Sequence, residues 1–143
     1  LLLFALTTSL MMHAGWFSDV RAQQGQFGNV NSFIVSGVSL GPYIVRTGSG
    51  AVTGVDVFNN GVSNAYLKLY NATTVSCGAS APVPLARYLI PSSSTSNGSG
   101  AVSQYTPGDR YTSGIVACVT TGIADNDTGQ PAASTFNMNI HWQ

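Results

Sequence analysis

The chain reads as an all-β protein: an antiparallel, jelly-roll-like β-sandwich of about eight strands, preceded by an apolar helical segment at its N-terminus. Three observations predict it. Turn signals recur at short intervals, as SGVSLGP, TGSG, NNG, CGASAP, PSSSTSNGSG, TPGD and DNDTGQP. Short runs of β-branched and aromatic residues lie between them, and helix formers are scarce beyond the opening segment. Such spacing belongs to antiparallel sheets.

The opening stretch is LLLFALTTSLMMHAGWFSDVRAQQ, almost wholly apolar from Leu1 to Met12. Val20 and Ala22 stand at −3 and −1 of a cut before Gln23, which gives the reading of an export signal. The other reading is a retained arm or anchor built on Leu1, Leu2, Leu3, Phe4, Leu6, Leu10, Met11, Met12, Trp16 and Phe17. Residues 1–17 are at the short end of what crosses a bilayer, so membrane contact is expected only there. The organisation is therefore an apolar segment over 1–22, a hinge over 23–28 (QQGQFG) and a sandwich over 29–143.

Within the sandwich, NSFIVSGV and PYIVRT read as the first strands. In VTGVDVFNN, Val55 and Val57 point one way and Asp56 the other, and Asn60-Gly61 signals a hairpin. In AYLKLY, Ala65, Leu67 and Leu69 share one face while Tyr66, Lys68 and Tyr70 share the opposite one. PLARYLI follows, then the polar loop PSSSTSNGSG and the strand SGAVSQY. GIVACVT is apolar on both faces, which places it mid-sheet or under a subunit contact. TFNMNIHW alternates Phe136, Met138, Ile140 and Trp142 against polar residues, a half-buried strand.

Charge is sparse. Lys, Arg, Asp and Glu make up 7% of the 143 residues, with five bases against five acids and no Glu. An ordinary soluble protein carries about 25%, so solubility here falls to Ser, Thr, Asn and Gly, and association meets little repulsion. With no basic stripe, nucleic-acid binding through phosphates has nothing to work with.

The order FNNGVSNAYLKLYN, a Cys-containing turn, PVPLARYLIP, a Gly/Ser loop and YTSGIVACVTTGIADNDTG resembles small β-sandwich proteins encoded among the structural genes of tailed bacteriophages. These are virion-associated, head-decoration or tail-associated proteins. The resemblance spans about Val52 to Trp142 and rests on AYLKLYN, the Ile90-Pro91 before the loop, and TSGI followed by VTTGIADND. It implies a non-enzymatic subunit whose partners are copies of itself and other structural proteins, in a virion or outside the cell. The N-terminal segment departs from that pattern, because an export signal is foreign to phage assembly.

Chemistry is thin. His13 and His141 are the only histidines, and no Ser sits in a G-x-S-x-G elbow, so no nucleophile and base are apparent and an enzyme is not expected. Asp125 and Asp127 are the one close carboxylate pair and read as a solvated turn beside Gly129 and Pro131. The sharper alternative is a loose calcium loop shared with Asp109, although the EF-hand pattern fails because Phe136 stands where Glu is required. No metal or cofactor is expected. Cys77 and Cys118 pair in an oxidising compartment and stay as buried thiols in a reducing one. Tyr66, Tyr70 and Tyr88 with Lys68 offer a subunit contact or sugar-stacking platform, unless the second sheet covers them; Lys68 itself reads as solvent-facing or at an edge. The leading expectation is a structural subunit acting by packing. The alternative is a secreted β-sandwich binding module, carbohydrate being the candidate ligand.

Overall fold

The computed structural model describes residues 30–93, 100–132 and 135–143; the helical segment, the arm residues and the hinge expected before Val30 lie outside them. Residues Asn31–Gln143 form one compact unit. Its strands are β1 (Asn31–Ser36), β2 (Tyr43–Thr47), β3 (Gly50–Asn59), β4 (Ala65–Asn71), β5 (Ala86–Ile90), β6 (Gly100–Tyr111), β7 (Gly114–Thr120) and β8 (Phe136–Trp142). The described residues contain no helix, and so none long and apolar enough to cross a membrane.

Two antiparallel four-stranded sheets form the sandwich, the first in the order β1-β8-β3-β6 and the second in the order β2-β7-β4-β5. The chain changes sheet at every connection except β4 to β5. The Asn60-Gly61 turn is one of these crossings. It joins β3 of the first sheet to β4 of the second and is not the expected hairpin; Asn60 N–H donates instead to Thr135 O at 2.6 Å.

Period-2 alternation builds the core. Val55 and Val57 of β3 and Phe136, Met138 and Ile140 of β8 face Leu67 and Leu69 of β4 and Ile115, Ala117 and Val119 of β7, all buried. Each of these side chains larger than alanine contributes about 1.5–3 kcal/mol on leaving water. β7 is buried along its whole length because it lies between β2 and β4, with its other face against a second apolar cluster of Tyr70, Val75, Val116 and Cys118. The cover over that face is the protein's own loop, so a subunit contact is not needed to explain it.

Asparagines close the connections, which accounts for much of this composition. Asn71 Oδ1 accepts from Thr112 N–H and Ser113 N–H, both at 2.9 Å, and Asn59 Oδ1 accepts from Gly61 N–H at 2.9 Å. Asn64 and Asn137 take the amides of Ser92 and Gly37 in the same way. A short amide side chain that mimics the backbone supplies the acceptor a turn lacks.

Tyr88 and Tyr111 put their rings into the core, and neither hydroxyl has a hydrogen-bond partner among the described residues. Burial raises the pKa of both phenols, and of Tyr70, above the ordinary value of 10.0. The unfolded chain therefore loses these protons near pH 10 while the native state keeps them, so their contribution is intact below pH 10 and is lost above it. Burial lowers the pKa of Lys68, which acts in the opposite sense below its ordinary value of 10.5. Above pH 10.5 the lysine adds nothing further, and the tyrosines leave a loss of stability. Tyr111→Phe is expected to hold or raise stability by about 1 kcal/mol at pH 7 and to flatten the alkaline decline. Urea midpoints measured from pH 7 to 11 check both; an unchanged alkaline slope would contradict the assignment.

Candidate functional site

The outer face of the second sheet is where the sequence placed its functional side chains. Tyr66, Lys68 and Tyr70 of β4 point there, in register with Thr120, Cys118 and Val116 of β7. On the other side, Tyr66 and Lys68 pair with Leu89 and Arg87 of β5. Two loops roof this face. The β4–β5 loop lays Val75 and Cys77 against Tyr70, Val116 and Cys118, and a Cys77–Cys118 disulfide with Cα atoms 5.9 Å apart pins it to β7.

The β7–β8 loop lies over Lys68 and reaches Arg87. Lys68 Nζ donates to Ala124 O at 2.5 Å, and the Arg87 guanidinium donates to Asp125 Oδ1 from Nε at 2.9 Å and from Nη2 at 2.6 Å. Asp127 Oδ1 closes the loop on itself by accepting from Gly122 N–H and Gly129 N–H, both at 3.0 Å. Glycine leaves room at both positions: a Cβ on Gly122 would displace the Asp127 carboxylate, and one on Gly129 would displace Thr121 Oγ1. The two loops touch where Gly78, with φ of +104°, meets Thr128.

This roof changes the expected roles. Lys68 is 0% exposed and sits on an interior strand, so it is neither solvent-facing nor at an edge. Desolvation lowers its pKa, opposed by the nearby Asp127 and Asp125 carboxylates. Tyr70 is 1% exposed beneath the β4–β5 loop. Tyr88 lies on the opposite face of its strand, in the core. Tyr66 alone among the three is part-exposed on the outer face. As for a cation, Asp125 is engaged by Arg87, Asp127 by backbone amides, and Asp109 lies on β6 of the other sheet. The described residues bring no three His, Cys, Asp or Glu together.

One constellation escaped the sequence. On the outer face of the first sheet, His141 of β8 lies 3.1 Å through Nδ1 from Ser32 Oγ of β1 and 2.7 Å through Nε2 from Asp56 Oδ2 of β3. Asn139 Nδ2 approaches the same Nε2 at 3.3 Å, and Asp56 and His141 make further contacts. Register explains the row: His141 pairs with Ser32 on one side and with Gly54 on the other, where no side chain blocks its reach to Asp56. The residue types are those of a nucleophile, base and acid. Their setting is the outer face of a sheet, where they lie side by side on β1, β8 and β3. The row is a cross-strand brace.

A second feature is apolar. Val83, Leu85, Arg87 and Leu89 alternate outward along the β5 segment, with Val83 76% and Leu85 53% exposed, while Pro84, Tyr88 and Ile90 turn inward and are buried. The cleft between the β3–β4 turn and the β7–β8 loop, about 260 Å³, is lined by uncharged residues such as Asn64, Thr121 and Gln130.

Compared with protein-family models and with curated proteins, the chain matches none.

Removing the staple tests the roof. Replacing both cysteines with Ala is expected to cost about 4 kcal/mol on the chain-entropy account of its loop, read as a lowered urea midpoint with faster hydrogen exchange over 72–85. Asp127→Ala leaves two amides without an acceptor and is expected to cost about 2–3 kcal/mol. Asp127→Asn keeps the oxygen and is expected to retain most of that stability; equal losses in both variants would assign the effect to charge.

Proposed function

We propose that the chain is a non-enzymatic structural subunit of a phage virion or a comparable extracellular assembly, and that it acts by packing against copies of itself and other structural proteins. The observation that carries this reading is the exposed row of Val83, Leu85 and Leu89, interrupted only by Arg87, which the loops over the rest of that sheet face leave in the open. Apolar side chains clustered along one segment of a nearly uncharged surface are suited to contact with another protein.

Further support comes from topology. Eight strands in the orders β1-β8-β3-β6 and β2-β7-β4-β5, with a sheet change at nearly every connection, suit a jelly-roll, an architecture used in capsids. The disulfide suits a virion or extracellular location, where thiols oxidise. The secreted carbohydrate-binding alternative relied on three accessible tyrosines, and Tyr66 alone retains that position. Residues 1–22 serve in this reading as the assembly arm or, if removed, as the export signal.

Particles purified from the native source by density gradient test the proposal. The chain is expected in them at a fixed copy number, and Leu85→Ser with Leu89→Ser is expected to reduce incorporation at least tenfold without lowering thermal stability. Recovery of the chain solely as a free monomer, with the double variant indistinguishable from the parent, would overturn it.

A further inference from the structure

A sheet edge carries unpaired backbone groups, and proteins ordinarily guard it with prolines, charges or bulges. Three of the four edge strands here are guarded. β2 begins after Pro42, carries Arg46 and shifts register between Ile44 and Arg46. β5 has five residues, contains Arg87, follows Pro82 and Pro84 and stops at Pro91. β6 contains Pro107, Asp109 and Arg110 and faces a register shift in β3. Within its own described residues, β1 has none of these devices. Its sequence NSFIVS holds no proline and no charge, and its register with β8 runs unbroken from Asn31 to Ser36.

The same strand is self-complementary. Ser32, Ile34 and Ser36 are exposed on its outer side, Ile34 by 69%, while Phe33 and Val35 are part-buried against the margin of the core. Antiparallel pairing about a two-fold axis normal to the sheet keeps outward residues opposite outward ones only when the axis passes through a residue. An axis through Ile34 uses Ser32 to Ser36, all of the strand but Asn31. It sets Ile34 opposite Ile34 of the second copy, Ser32 opposite Ser36, and Phe33 opposite Val35. Apolar meets apolar, serine meets serine, and no like charges face one another.

We propose that β1 is the dimerisation edge of this protein: the occupant is the β1 strand of a second copy, paired antiparallel in the register centred on Ile34, so that two first sheets become one continuous sheet. This goes beyond the subunit reading, since it names the edge, the partner and the register.

Cross-linking of the full-length chain tests it. Directly opposed residues in an antiparallel pair have Cα atoms about 4.5–5.5 Å apart, within disulfide range. Ile34→Cys is therefore expected to form a covalent dimer, with oxidised glutathione as the oxidant, at least tenfold faster than Ile123→Cys or Val62→Cys, control positions that are 63% and 90% exposed. Ile34→Lys, which opposes two ammonium groups on the axis, is expected to cut the dimer fraction in sedimentation velocity at least tenfold. Cross-linking no faster than the controls, or an unchanged sedimentation profile for the Lys variant, overturns the pairing. Particles that contain the chain without an Ile34→Cys cross-link overturn the pairing and leave the subunit reading intact. A cross-linked dimer absent from particles supports the pairing and overturns that reading.

Discussion

Much of this structure depends on a cation and a disulfide holding a roof over one sheet. The second sheet presents Val116, Cys118 and Tyr70 on the side away from the core, and bare they would leave an apolar face in water. Lys68 stands in the same row, where its ammonium would be costly to bury without partners. The β4–β5 loop solves the first difficulty through Cys77 and Val75, and the β7–β8 loop solves the second by offering the Ala124 carbonyl and two carboxylates. Each loop is long enough to need an anchor, and each anchor is a residue the sheet supplies. The strands thereby become a three-layered body on that side, with sheet, sheet and loop stacked in turn.

How much of this was legible depends on range. The strands of Phe136–Trp142 and Ala65–Asn71 are plain in the sequence because alternation is a local property, set by the pleat. GIVACVT announced burial on both faces for the same reason. What covers an outward face is not local. Tyr70 and Lys68 carry the same alternation whether they meet solvent or a loop whose Ala124 lies 56 residues away. The Asn60-Gly61 turn shows a related failure: its dipeptide chemistry is a turn's, but whether the chain stays in its sheet or crosses to the other is decided by packing. The row of Ser32, His141 and Asp56 unites residues 109 and 85 apart in sequence, and the one local hint was a glycine inside a strand, Gly54.

The surface divides along similar lines. Where a loop or a partner strand covers the sandwich, polar groups are satisfied by asparagines and by Asp127; where nothing of the described chain covers it, the β5 row and Ile34 remain apolar. A nearly uncharged exterior sets little electrostatic penalty against bringing such places together. Specificity must then come from shape and register, the currency of sheets.

The placement of the basic residues carries a consequence for durability. Lys68 is the sole lysine of the chain, and it is buried; Arg46, Arg87 and Arg110 all lie within strands. Digestive enzymes that cut after basic residues need a freely bending segment of backbone, which loop tips provide and hydrogen-bonded ladders withhold. The loops described here hold no such residue. The folded sandwich is thus built to outlast trypsin-like proteolysis, and with its lysine amine sealed away it is equally indifferent to amine-directed acylation at that side chain.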